Sequence, residues 1–413
     1  AIKEMTAAVE RDAPTYTDYK EKHVTVPGLH PGDTLEYDIV TRLVTPLAPN
    51  EFWYSQNFLE NAIVLDEHLD VNIPTGRAVT VKSAVFSLVD GKERHAAQLQ
   101  IPATSGPLII TGDFSQEISR DRTILHWKHA NLSHPADDQE EKKSSKPGEL
   151  QPDVQITTFK NWAEVAAWYA GLEKGRTNPD AAIRAKVAQL IQGKKSDLEK
   201  MEALYDYVST NIRYVSLSFG LGRYQPHSAA EVFTNQYGDC KDKQTLLAAM
   251  FDAAGIHADA ALIPYERKLD LSVPSPSQFD HIITAVPEGD HFIWMDSTAE
   301  VAPFRMLTAP LRNKSALLVT PDGAGKIVTT PKDPPFLSTQ RVLVDAQVSD
   351  LGKLTAKVQY FLRGDNEFAL RAAFRRTPQT QWKDLGQTLA AMDGIRGQVS
   401  SVKPSDPANT KDP

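Results

Sequence analysis

At 413 residues, with 41% hydrophobic and 24% charged residues, the chain has the composition of a soluble globular protein of two or three domains. A formal net charge of −8 argues against a nucleic-acid partner, because phosphate binding needs a basic face. No apolar run approaches the length of a membrane span, and a single cysteine excludes an internal disulfide framework and any multi-cysteine zinc site.

The start of the chain, Ala1-Ile2-Lys3-Glu4, carries no secretory signal pattern. Residues 1–135 read as an all-β, sandwich-like module. Tyr16-Thr17-Asp18-Tyr19-Lys20 begins a polar–apolar alternation, His30-Pro31-Gly32-Asp33 reads as a turn, and Thr34 to Val44 reads as a long strand. Further turns are expected at Ile73-Pro74-Thr75-Gly76 and at Asp90-Gly91, the latter between Ala84–Val89 and a returning strand. Phe52, Trp53, Tyr54 and Phe58 are read as core or interdomain packing rather than a ligand platform. His126, His129 and His134 invite a metal reading, but on a strand His126 and His129 point to opposite faces, so no metal site is assigned.

Residues 136–157 read as a charged linker. Asp137, Asp138, Glu140, Glu141, Lys142 and Lys143 precede Ser-Ser-Lys-Pro-Gly, with almost nothing to bury.

Residues 158–335 form the next unit. Trp162, Val165, Ala166, Trp168, Tyr169 and Leu172 make an apolar helical stripe. Asn178 or Asp180 caps a second helix. Ser196-Asp197-Leu198-Glu199 and Ser228-Ala229-Ala230-Glu231 are capping boxes that open two more, the second ending at Gly238. Ile212 to Val215 reads as a short strand. Between them lies Gly222-Arg223-Tyr224-Gln225-Pro226-His227.

Tyr237-Gly238-Asp239-Cys240-Lys241-Asp242-Lys243 follows. Asp239 suits a helix N-cap, and Leu246, Leu247, Met250, Phe251 and Ala254 recur at helical spacing up to a stop at Gly255. Cys240 then sits in the first turn, where unpaired N–H groups and the helix dipole favour a thiolate. The competing reading is a small buried hydrophobe. Downstream, Asp280 to Val286 and His291 to Asp296 read as a β-hairpin. A loop at 287–290 pairs Val286 with His291 and, counting outward, His281 with Asp296. A carboxylate opposite an imidazole suits a base and its orienting group, and equally a surface ion pair. Tyr265 to Phe279 is an insertion reaching His281, either a substrate wall or a plain surface loop.

The runs Tyr-Gly-Asp-Cys-Lys-Asp-Lys-x-x-Leu-Leu, Phe-Asp-His and Trp-Met-Asp-Ser-Thr resemble the bacterial transglutaminase-like superfamily, strongly over about 196–300. More loosely, the upstream part resembles an all-β domain of unassigned function found ahead of such domains in exported bacterial proteins. The resemblance implies a papain-like α+β domain with Cys240, His281 and Asp296 as nucleophile, base and orienter. It implies a periplasmic or extracellular location, with a protein or peptide substrate and possible contact with a cell-envelope component. No cofactor is implied. Gln225 is a candidate oxyanion donor beside the Cys240 N–H, Tyr224 and His227 are candidate substrate contacts, and His227 is a rival base.

Residues 336–413 read as a C-terminal module. Arg341–Val348 and Lys353–Phe361 form a hairpin, and Asp365–Phe374 and Gln379–Met392 look helical. This is a thin core, so the module is expected to belong to a longer one. Two functions stand side by side: thiol-dependent acyl transfer on an amide carbonyl, resolved by water or an amine, and a non-catalytic envelope scaffold that works through its β modules.

Overall fold

A computed structural model of the chain describes residues 2–5, 21–59, 62–89, 93–102, 110–111, 114–132, 151–215 and 220–411. The Tyr16–Lys20 alternation, the Asp90-Gly91 turn, His134 and the charged core of the expected linker lie outside the described residues.

Strands β1 (Ile2–Met5) and β2 (Glu21–Val24) pair antiparallel. They are followed by β3 (Trp53–Gln56), β4 (Val64–Pro74), β5 (Thr80–Val89), β6 (Glu93–Pro102), β7 (Ile110–Thr111), β8 (Phe114–Ser119), β9 (Arg122–Asn131) and β10 (Val154–Thr157). Two sheets result, ordered β3-β10-β5-β6 and β4-β9-β8-β7. Val81, Val154 and Ile156 of the first meet Phe114, Leu125 and Trp127 of the second in one buried cluster, which makes the module sandwich-like. Trp127 donates its indole N–H to Ser83 Oγ at 2.9 Å, so its one polar atom is satisfied inside.

Two expectations need correction here. The linker ends sooner than 157, because Val154–Thr157 is a fully buried strand paired with β3 on one side and β5 on the other. A four-residue strand directly after a charged run is too short to show a period. Thr34–Val44 is not a strand: it has no regular secondary structure and is exposed. The alternation of Leu35, Tyr37 and Ile39 suits a strand, but a strand also needs a neighbour for its backbone groups, and no described strand pairs with it.

The central region carries α1 (Trp162–Glu173), α2 (Ala181–Leu190), α3 (Asp197–Asn211), β11 (Arg213–Tyr214), α4 (Ala229–Asn235), β12 (Tyr237–Gly238) and α5 (Cys240–Ala253). An antiparallel sheet follows, built from β13 (Asp259–Ile263), β14 (His281–Glu288), β15 (His291–Met295), β16 (Ser315–Val319) and β17 (Gly325–Thr329), ordered β15-β14-β13-β16-β17. Both expected capping boxes form, at Ser196 and Ser228, and Asp180 caps α2.

Helix α5 is the centre of this region. Leu246, Leu247, Met250 and Phe251 are fully buried against Ile183 and Val187 of α2, Leu204 and Val208 of α3, Val232 of α4, and Val286, Ile293 and Met295 of the sheet. Each such side chain contributes about 1.5–3 kcal/mol by leaving water, so this helix cannot shift as a surface helix could. Helix α1 lies on the sheet through Val165 and Tyr169. Gly325 permits that approach, since a Cβ there would come within 2.5 Å of Ala166 Cβ.

The C-terminal part is a hairpin, β18 (Thr339–Val348) and β19 (Leu354–Arg363), followed by α6 (Asp365–Arg376) and α7 (Trp382–Met392). Every residue of β18 is exposed. The whole is α+β, with a β-rich module at each end. Among the described residues no helix is long and apolar enough to cross a membrane.

Candidate active site

The nucleophile candidate is placed by a run of buried charges. Asp239 caps α5 through the N–H of Asp242, and Asp242 returns the bond to the N–H of Asp239. Cys240 follows as the first helical residue and is half-buried. Lys241 is buried and pairs with the Asp239 carboxylate. Lys243 is also buried and donates to the carbonyls of Ser209 (3.2 Å) and Ile212 (2.7 Å), which α3 leaves open at its end. Burial pushes the Lys243 ammonium down to about 8, against the pull of Glu300 and Asp296.

Gly238 does not end α4, as the sequence suggested. That end is Gln236, in the left-handed region with φ 60°. Gly238 lies in β12, and a Cβ there would fall 2.5 Å from Asp242 Cβ. The glycine is there so that the capping carboxylate can lie against the strand.

His281 opens β14 and is buried, as is Asp296 just past β15. His281 Nε2 lies 3.1 Å from Asp296 Oδ2. The second oxygen, Oδ1, accepts from the N–H of Thr298 at 2.9 Å and from its hydroxyl at 2.6 Å. Tyr205 of α3 donates to the Asp296 carbonyl at 3.3 Å, so backbone and carboxylate are both fixed. Burial alone would raise the Asp296 carboxyl, but the charge and hydrogen bond of His281 and the bonds from Thr298 hold it below its ordinary range. Burial would lower His281. Asp296 by charge and hydrogen bond, then Cys240 in the same two ways, raise it well above its ordinary value.

The hairpin register differs from the expected one. The turn is Gly289-Asp290, and the pairs are Glu288 with His291 through Thr284 with Met295. A two-residue loop suits Gly289, whose φ is 60°. His281 is therefore not directly opposite Asp296. By this register Asp296 falls beside Ile283, and His281 is its diagonal neighbour on the same face.

The remaining candidates lie at one edge. Tyr224 is buried against Trp53 and Trp168, with ring centroids 5.7 and 5.2 Å away. Gln225 is half-buried between Tyr224 and Pro226. His227 turns to Asp242: its backbone N–H donates at 2.8 Å and its ring Nδ1 lies 3.1 Å from Oδ2. That hydrogen bond raises the imidazole against the opposing effect of burial. Asp242 thus joins residues 225–227 to the start of α5.

The sequence did not single out Thr298, nor the contacts of Tyr265 and Asp242, which it placed only in the insertion reaching His281 and beside the cysteine. Tyr265 sets its ring edge-on to His281, with centroids 5.6 Å apart and planes at 82°. The Trp-Met-Asp-Ser-Thr run held the signal for Thr298; nothing local marked Tyr265. In the N-terminal module His126 faces outward at 2.7 Å from Asp70, and His129 points inward, stacked on Phe58. Among the described residues no group of three His, Cys, Asp or Glu is placed to hold a metal ion.

Residues 1–135 match a domain of unknown function with solved structures, DUF3857, and residues 184–277 match the transglutaminase-like superfamily. The second match includes Cys240 and stops short of His281 and Asp296. No curated protein matches the chain. A candidate protease from Parabacteroides distasonis superposes over 81% of this chain at a TM-score of 0.55 and 14% identity. The match takes in 58% of that protein, so the present chain corresponds to little more than half its length. A candidate cysteine protease from Cytophaga hutchinsonii gives a TM-score of 0.27 at 13% identity, over 76% of this chain and 93% of that one. The chain thus has a DUF3857-like N-terminal domain followed by a transglutaminase-core-like domain.

Proposed function

We propose that the protein is a thiol acyltransferase or amidase that acts on an amide carbonyl of a protein or peptide. The observation that carries this is the buried pair of His281 and Asp296, with Nε2 3.1 Å from Oδ2, in a domain whose helix α5 begins at the half-buried Cys240. In this reading Cys240 attacks as thiolate, and a C–S bond forms as the carbonyl π pair moves to oxygen. The N–H of Cys240 at the head of α5 and the Gln225 side chain are the donors for that oxyanion. Collapse of the adduct expels the amine, which takes its proton from His281. A thioester on Cys240 remains. Water or a second amine then adds, giving its proton to His281, and the thiolate leaves. Asp296 keeps the tautomer and supports the imidazolium throughout, without taking the proton.

The test is denaturing mass spectrometry of the protein quenched during incubation with a library of peptides carrying free and glutamine side-chain amides. An acyl adduct on Cys240, with amine release that disappears in Cys240→Ala, is expected. Amine release undiminished in Cys240→Ala would contradict the reading.

A further inference from the structure

Residues 264–280 leave the sheet after Ile263 and return to it at His281, and Ile263 and His281 are themselves paired across β13 and β14. This segment therefore begins and ends at the candidate base, and Tyr265 lies against its ring. Its first residues are fixed from within the domain: Lys314 Nζ donates to the carbonyls of Pro264 (2.9 Å) and Arg267 (3.0 Å).

Its middle is held by the other module. Lys82 of β5 pairs with Asp270, the two side chains being 14% and 10% exposed. Thr157 of β10 donates its hydroxyl to the Pro274 carbonyl at 2.8 Å, and Gln151 donates to the Lys268 carbonyl at 2.8 Å. Asp270 also sets the segment's own shape, since Ser272 caps onto its carboxylate and its backbone N–H donates to Gln278 Oε1 at 2.7 Å. The same module also touches the segment before α4. Trp53 of β3 donates its indole N–H to Tyr224 at 3.3 Å, directly before Gln225.

We infer that the N-terminal β module positions both walls of the Cys240 cleft, residues 264–280 through Lys82 and Thr157 and residues 224–227 through Trp53, and so governs which substrates reach the thiol. A docking contact far from the chemistry would bury side chains without touching both flanks of one site. Here a single sheet touches the segment that delivers His281 and the segment tied by Asp242 to the nucleophile helix. Lys82 is a positioning residue in this account. The inference rests on the proposed function only in taking Cys240 as the reacting group.

The chain's single cysteine permits a direct test on the intact protein. The alkylation rate of Cys240 is measured with N-ethylmaleimide and with the same maleimide carried on a polyethylene glycol chain. Their ratio cancels intrinsic thiol reactivity, so it reports wall position whether or not the thiol is activated. Lys82→Ala is expected to raise the bulky-to-small ratio roughly three-fold or more, Lys82→Arg to leave it near wild type, and Thr157→Val to move it in the direction of Lys82→Ala. Circular dichroism identifies any variant that has lost its fold, and Thr157→Val serves if Lys82→Ala has. A ratio unchanged in the folded variants would overturn the inference, as would both rates changing by one common factor.

Discussion

His281 and Asp296 meet across a hairpin whose register does not pair them. The turn is only the last two residues of the loop the sequence suggests, which displaces the pairing by two, so Thr284 faces Met295 and the hydrogen bond between imidazole and carboxylate runs diagonally. Side chains alternate between faces with a period of two, so a displacement of this kind keeps both groups on one face, whereas a one-residue slip would have separated them. Diagonal neighbours lie within reach of long side chains, and Asp296 is turned toward His281 by Thr298 and Tyr205.

Asp296→Asn keeps the shape and removes the charge. It should lower turnover by about 10²–10⁴ while the protein stays folded. Asp296→Ala should in addition destabilise the fold, by about 3–5 kcal/mol if the imidazolium stays buried without its partner. Denaturant titration beside the kinetic assay separates the two effects.

Thr298→Val removes the hydroxyl bond to Asp296 Oδ1 and keeps the backbone one. A loss of about 1–2 kcal/mol is expected, because a charged acceptor is left under-satisfied. Reactivity at Cys240 should fall with it, and Thr298→Ser should restore both. Equal behaviour of the valine and serine variants would show that the hydroxyl has no part in holding the carboxylate.

Gly238→Ala places a methyl group 2.5 Å from Asp242 Cβ, where strand and helix start are both fixed. Overpacking of this kind costs about 1–3 kcal/mol. Because Asp242 also holds His227, the slackened residues 225–227 should become more susceptible to proteolysis. Limited digestion with mass mapping reads this out.

Glu173 ends α1 with one carboxylate oxygen closed off from solvent, and only the Gln244 side chain favours its charged form. Burial, then the charge of Asp259, pushes its carboxyl up from 4.5 to about 7. Between these values the folded state keeps a proton that the unfolded chain has lost, so stability should fall as pH rises through that window. The amplitude is on the order of 2–3 kcal/mol. His281 acts in the same sense at higher pH. Its contribution is complete below 6.5 and is lost as pH rises through a folded value well above that. Unfolding free energies between pH 4.5 and 7 should therefore slope less in Glu173→Gln than in wild type, with the alkaline decline retained.

Much of the site was legible from local chemistry. The Asp239 cap, the helical spacing from Leu246 to Phe251 and the Gly255 stop are short-range signals, and α5 formed where they placed it. The Ser196 and Ser228 boxes held for the same reason. Long-range relationships were less visible. Val154–Thr157 becomes a central strand because β3 and β5 come to either side of it, which its own four residues do not announce. Thr34–Val44 has the pattern of a strand and no described neighbour to pair with. The contacts of Trp53 with Tyr224 and of Lys82 with Asp270 join residues far apart in sequence, and neither side carries a local sign of the other. Gly238 read as a helix stop because glycine most often is one; its actual cause, the close approach of Asp242, exists only once strand and helix have met.

The central claim is that His281 activates the thiol of Cys240, and the most direct measurement is the rate of iodoacetamide alkylation against pH in wild type, His281→Ala and Asp296→Ala. The account predicts rapid alkylation of wild type at and below neutral pH, falling there by about ten-fold or more in His281→Ala and by a smaller factor in Asp296→Ala, as expected when a thiolate loses its imidazolium partner. Slow alkylation at every pH, unchanged by either substitution, would contradict it.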